Sequence, residues 1–209
     1  MATADPSRDE VDEVDEVLGF WFGELDADGR AAAEQRSRWW RKDAAFDQLV
    51  RDRFAELHEA VAAGRRDDWL DSARGRLAAI IVLDQFSRNM FRGSGQAHAA
   101  DARAQELARG GIDGGMDRQL AHDERGFFYM PLMHGESLAD QDRCVELFRA
   151  WRDEASEAMR DHVAALLDYA ERHRNIVRRF GRFPHRNDLL GRASTPEELV
   201  FLAEPGSSF

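Results

Sequence analysis

Leu77-Ala78-Ala79-Ile80-Ile81-Val82-Leu83-Asp84-Gln85-Phe86-Ser87-Arg88-Asn89-Met90-Phe91 is apolar around most of a helical circumference and shows no strand-like alternation. A helix that is apolar nearly all round is buried nearly all round. The spacing therefore predicts a central helix over 72–91 with other helices packed about it. At 100° per residue, Leu77, Ile81, Asp84, Arg88 and Phe91 share one stripe of roughly 80°. Asp84 and Arg88 are four apart with the acid first, the favourable order for a pair. Val82, Phe86 and Met90 lie opposite, so neither side of this helix faces solvent. Two readings of the pair follow: an ion pair that fixes helix register, or the rim of an internal polar site.

Outward from this segment, the same period recurs. Val11, Val14, Val17, Leu18 and Trp21 mark a first helix that Gly23 and Asp26–Gly29 end. A second helix starts near 31–34 and runs through Trp39-Trp40, or a new one starts at Asp43; Phe46 to Val61 then carry an apolar face to a capping Gly64. Gly93-Ser94-Gly95 breaks the central helix, and 97–109 reads as a helix closed by Gly110-Gly111. Helices follow over 122–134, from Ser137 to Trp151, and from Glu154 to Arg179. A last one is signalled by Thr195-Pro196-Glu197-Glu198, with a capping Thr, Pro at the first position and Glu at the third. The expected fold is all-α: an irregular antiparallel helical bundle or α-solenoid of about eight helices, in one domain over 1–209 with a loosely held tail at 1–8.

A chain of 209 residues buries about 70% of its unfolded surface. No apolar run approaches the ~18 residues of a spanning helix, so no membrane is expected. The acidic start lacks the layout of a signal peptide. The single cysteine, Cys144, cannot form an intramolecular disulfide, and this fits a reducing cytoplasm; its helical setting reads as a small buried residue. A net charge of −11 argues against a nucleic-acid partner, which needs a broad basic face.

One segment opposes that acidity. Between Arg172 and Arg192 there are seven arginines and one acid, Asp188, with His173 and His185 beside them. Gly181 and Pro184 stiffen the loop that carries Arg182, His185, Arg186 and Asn187. Guanidinium forks suit carboxylate or phosphate, and His185 can carry a proton near neutral pH. His134, Glu136 and Gln141 meet where one helix ends and the next begins, after Pro131. On the long helix, His162, Leu166, Tyr169, His173, Ile176, Val177 and Phe180 share one stripe. His162 and His173 lie about 16 Å apart along it, too far to share a metal ion. There is no His-Glu-x-x-His, cysteine pair, calcium loop, phosphate loop or dinucleotide fingerprint, so neither metal nor cofactor is expected.

Three strings together carry a resemblance: Leu83-Asp84-Gln85-Phe86-Ser87-Arg88-Asn89-Met90-Phe91-Arg92; Phe128-Tyr129-Met130-Pro131-Leu132-Met133-His134-Gly135-Glu136 with Gln141-Asp142; and Phe180-Gly181-Arg182-Phe183-Pro184-His185-Arg186-Asn187 with Leu190-Gly191-Arg192. From about Val14 to Phe209 the chain resembles a bacterial family known as domain of unknown function 924. The resemblance implies an all-helical fold of the tetratricopeptide-like kind, in shape only, since no tetratricopeptide consensus is readable. It implies no activity and carries over no catalytic residues. Ser87 stands where the family's string has Pro, a local change of little functional weight.

Two functions compete. In the first, Asp84, Arg88, Arg182, His185, Arg186 and Asn187 line a site for a small anionic ligand, with His134, Glu136 and His185 as catalytic candidates and Phe180, Phe183 and Tyr129 excluding water. In the second, Arg182, Arg186 and Arg192 are held by Asp84, Glu124, Glu136 or Asp142, and the protein is a scaffold with a protein partner. Trp21, Trp39 and Trp40 would then face that partner, unless they are plain core.

Overall fold

A computed structural model of the chain describes residues 6–208, with side chains from residue 13 onward. Of the expected tail at 1–8, residues 1–5 lie outside the described residues, and α1 (Pro6–Phe22) begins within it. The fold is all-α. Among the described residues there is no β-strand, only an isolated bridge between Leu25 and Ala31, and no helix is long and apolar enough to cross a membrane. The described residues form two compact units, 6–92 with 97–131 and 93–96 with 132–208.

In the first unit, α1 stops where Gly23 takes the left-handed conformation (φ 67°). α2 (Ala33–Trp39) ends before Trp40, and α3 (Ala44–Ala62) starts afresh with Asp43 as its cap, accepting from the amides of Ala45 and Phe46. The open choice at 39–43 is thus resolved by the side chain able to satisfy orphan amides. Ser72 caps α4 (Ala73–Ile80), which continues through a π-helical segment, Ile81–Phe86, into α5 (Ser87–Met90). The expected helix over 72–91 is therefore helical throughout but wider in its middle. Ser87 Oγ donates to the carbonyl of Leu83 at 2.6 Å and Arg88 to that of Asp84 at 2.9 Å, so side chains serve the carbonyls of the widened turn. Every residue of the π segment is buried, as the all-round apolar pattern requires.

Gly110-Gly111 does not end its helix: α6 runs over Asp101–Asp113. A Cβ on Gly111 would lie 2.5 Å from Phe128 Cζ and 2.6 Å from Arg76 Cδ, so this glycine permits close packing and is no terminator. Gly75 in α4 is tighter still, because its Cβ would sit 2.3 Å from the backbone oxygen of Trp69. Gly75→Ala is expected to lower stability by roughly 1–3 kcal/mol, against the sign of helix propensity; urea denaturation measures it.

α7 (His122–His134) carries Pro131 inside it and takes the chain from the first unit into the second. An aromatic core fills the first unit. Trp21 and Phe22 are 1% exposed, and Trp21 meets Phe86 and Phe127 edge-on at 5.8 and 5.6 Å. The core reading holds for Trp21 but not for Trp40, which is 63% exposed with one face stacked on Phe127.

In the second unit, α8 (Leu138–Glu154) and α9 (Glu157–Phe180) form a hairpin joined at Ala155–Ser156, three residues later than the expected start at Glu154. Ser137 caps α8 by accepting from the Asp140 amide. The buried face of α9 is Val163, Leu167, Ala170, His173, Ile176 and Val177. Tyr169, expected on the core stripe, is 51% exposed, because the stripe is centred one residue further on. Gly181 (φ 69°) closes α9, a short 3-10 turn spans Pro184–Arg186, and α10 (Pro196–Leu202) opens with the full Thr195–Glu198 capping box.

Candidate functional site

In the first unit, Asp84 and Arg88 pair as their spacing predicts, at 3.0 Å. Arg88 also forks onto Asp101 at 2.9 and 3.3 Å, and His98 Nδ1 stands 3.4 Å from the same carboxylate. Gln85 donates to Asp84 at 2.6 Å. Burial alone would lower the Arg88 pKa, but the charges of Asp84 and Asp101 outweigh it and raise it. Burial would raise Asp101, yet the hydrogen bond from His98 and the charge of Arg88 bring it below the usual value. The rest of the polar string is equally engaged. Asp47 accepts from Asn89 at 2.7 Å and from both arms of Arg92 at 2.6 and 2.8 Å, tying α3 to α5, and Ser87 lies 2.7 Å from His58 Nε2. Tyr129 belongs to this unit: its hydroxyl donates to Asp117 at 2.5 Å and accepts from Arg125 at 2.8 Å. Glu124, considered as a partner for the late arginines, accepts instead from Arg74 at 2.9 Å.

In the second unit, the arginine-rich stretch folds onto in-unit acids. Arg182 forks onto Glu198 at 2.7 and 2.8 Å and donates to the Ala193 carbonyl at 2.9 Å. Glu198, 2% exposed, also accepts from the Thr195 amide. The Arg182 bond, with help from Thr195, draws its pKa down to about 2. Arg192 forks onto Glu136 at 2.6 and 2.9 Å, and the Phe183 amide donates to Glu136 at 2.8 Å. Burial would raise the Glu136 pKa, but these bonds and the charges of Arg192 and Arg186 lower it. Asn187, fully buried, donates to Ser194 and Glu198 and accepts from Arg192 at 3.1 Å. Asp142 takes Arg178 at 3.1 Å. Of the four acids considered as partners for Arg182, Arg186 and Arg192, only Glu136 takes one of them. Gln141 closes the α7 end, donating to the carbonyls of Met133 at 2.5 Å and Gly135 at 2.7 Å.

Around Phe183 the chemistry differs. Arg186, 6% exposed, lays its guanidinium 4.4 Å from the Phe183 ring centroid and donates to the His134 carbonyl at 2.9 Å. The His173 and His185 rings lie 5.7 and 5.6 Å from the Phe183 ring, and His134 lies 6.3 Å from His173. His173 Nδ1 is 2.8 Å from the Tyr169 carbonyl, which assigns its proton to Nδ1. Burial first, then the positive groups of His134, Arg186 and His185, push the His173 pKa down to about 3. The sequence places His173 on a core face, yet nothing in its spacing shows that His134 and His185 meet it there.

A family model described as "Bacterial protein of unknown function (DUF924)" matches residues 17–206. A solved structure, that of the protein of unknown function ATU0120 from Agrobacterium tumefaciens, is 37% identical, with a TM-score of 0.76 over 95% of this chain and 99% of that one. No curated protein matches. The strings that carried the resemblance thus sit inside a match spanning nearly all of both chains, and the protein belongs to the bacterial DUF924 family.

Proposed function

We propose that the second unit binds a small anion, phosphate- or carboxylate-bearing, at Arg186, His134 and His185. The supporting observation is the convergence of the Arg186 guanidinium and the His173 and His185 imidazoles on Phe183, with His134 beside His173. Glu136, whose pKa reflects the nearby Arg186 charge, is already shared between Arg192 and the Phe183 amide. His134 and His185 are half-buried and offer a route from solvent, while neutral His173 forms the deep wall. An anion entering here meets the Arg186 guanidinium and the ring nitrogens of two imidazoles. Arg182, Asn187, Asp84 and Arg88 have other work in this reading: each sits in a closed network of its own unit.

One observation favours a structural reading for the rest of the basic stretch. Arg172, Arg174, Arg178, Arg179, Arg182 and Arg192 each have a carboxylate of the same unit within 4 Å. The pairs of Arg179, Arg182 and Arg192 tie the C-terminal segment to the rest of the unit, whereas those of Arg172, Arg174 and Arg178 lie within the α8–α9 hairpin.

The test is titration with inorganic phosphate and with acetate at constant ionic strength. At tenfold excess over Kd the thermal midpoint is expected to rise by about 3–6 °C, and the His134 and His185 ring resonances should move. His185→Gln and Arg186→Gln should each suppress both effects. If neither anion alters the midpoint or the histidine resonances, the whole stretch is a structural lock and the scaffold reading replaces this one.

A further inference from the structure

The first unit contains a cleft of about 390 Å³, within the size range of small-molecule sites. Leu18 and Phe22 of α1, both buried, make its apolar wall. Its polar wall is a chain of charges: Arg74 donates to Glu124 at 2.9 Å and to Asp15 at 3.2 Å. These two contacts are unequal. The Glu124 side chain is 5% exposed and is also held by the Ala121 amide at 3.0 Å, whereas Asp15 is 63% exposed. The Arg74–Asp15 contact is therefore a solvated pair that exchanges easily. Two carboxylates and one guanidinium leave the cleft with a net negative charge. The carbonyl end of α1 adds to it, since no basic residue lies in its last turn. Gln35 and Trp39 serve the carbonyls of Phe20 and Trp21 with neutral donors, which satisfy hydrogen bonds without cancelling that field.

Gly19 is the second observation. It is exposed in the interior of α1, and a Cβ there would meet nothing within 4 Å. Neither packing nor an unusual backbone conformation asks for glycine at this position, although glycine weakens a helix interior. Its effect is to leave the cleft open down to the helix backbone.

The geometry points to a binding site for a small organic cation, an ammonium group carried on a short apolar body. The ammonium takes the exposed Asp15 carboxylate, leaving Arg74 on Glu124. The apolar body lies over Gly19 and Gly23 against the half-buried Leu25. The probes are phenethylammonium, the uncharged phenethyl alcohol and the anionic phenylpropionate, read on the full chain by amide resonances of Gly19 and Gly23. Phenethylammonium is expected to give saturable shifts at millimolar concentration, with affinity at least about tenfold above the alcohol, and phenylpropionate none. Gly19→Leu fills the cleft and should weaken binding by about tenfold or more while the thermal midpoint holds or rises. Asp15→Asn, at an exposed position, should weaken it similarly without unfolding. The site is refuted if phenethylammonium leaves both glycine amides unmoved up to about 20 mM, if the alcohol binds as well, or if Gly19→Leu binds like the parent protein.

Discussion

Replacing Arg88 with methionine is expected to lower the unfolding free energy by about 3–5 kcal/mol, with an unchanged urea m-value. Arg88 bridges two largely buried carboxylates. The Asp84 side chain is 1% exposed and that of Asp101 is 12%, against 20% for Arg88 itself. Methionine preserves much of the apolar stem but leaves two negative charges facing each other in a medium that solvates them poorly. An exposed pair four apart on a helix would be worth under 1 kcal/mol; burial of Asp84 in the π segment makes the difference. Arg88→Lys should recover only part of the loss, because one ammonium cannot reproduce a fork on Asp101 together with the contact to Asp84. Adding Asp84→Leu to Arg88→Met should restore much of the stability, since the cost lies in the orphaned charge. A loss below 1 kcal/mol for Arg88→Met would mean that water reaches Asp84 and that the cluster does not fix helix register.

The same cluster shows where sequence reading stops. Asp84 and Arg88 were legible because they are four apart on one helix. Asp101 and His98 were not, since thirteen residues and a turn separate Arg88 from Asp101, and no period links them. The π segment is invisible for a related reason: a helix apolar all round has no polar face to reveal a change of phase. Helix ends announced by local chemistry were readable, as at Gly23, Gly64, Ser137 and Thr195. Glycine's second role misled at Gly110-Gly111, because a residue chosen for the approach of Phe128 looks the same in sequence as a terminator. In the second unit, the dense run of arginines pointed to acidic partners, among which Glu136 and Asp142 were named from sequence and the buried Glu198 was not. Glu198 sits sixteen residues from Arg182, and its role emerges only when α10 folds back.

Acidification from pH 6.5 to pH 5 is expected to cost the protein about 1.6 kcal/mol through His173 alone. In the folded chain burial pushes this imidazole down to about 3, from an ordinary value of 6.5. Below pH 6.5 the unfolded chain therefore binds a proton that the native chain refuses, so stability rises with pH in this range. The contribution is complete above 6.5 and is lost progressively as the pH falls toward 3. His58, lowered by burial, acts in the same direction. Glu198, Glu136, Asp101 and Asp47, whose pKa values are depressed in the folded state, add their own losses only below the ordinary carboxylate range. The window from 6.5 to about 4.5 therefore belongs to histidine. His173→Met keeps an apolar wall beside Phe183 and removes the titrating group; its stability should change with pH less steeply than that of the parent, by about 1.6 kcal/mol between pH 6.5 and 5. Chemical denaturation at a series of pH values supplies both slopes. Equal slopes would show that His173 accepts a proton in the native state, and the deep wall of the Phe183 cluster would then be a charge that adds to Arg186 in drawing an anion. A shallower slope for the variant would mean that His173 stays neutral in the folded chain, so the wall beside Phe183 carries no charge of its own.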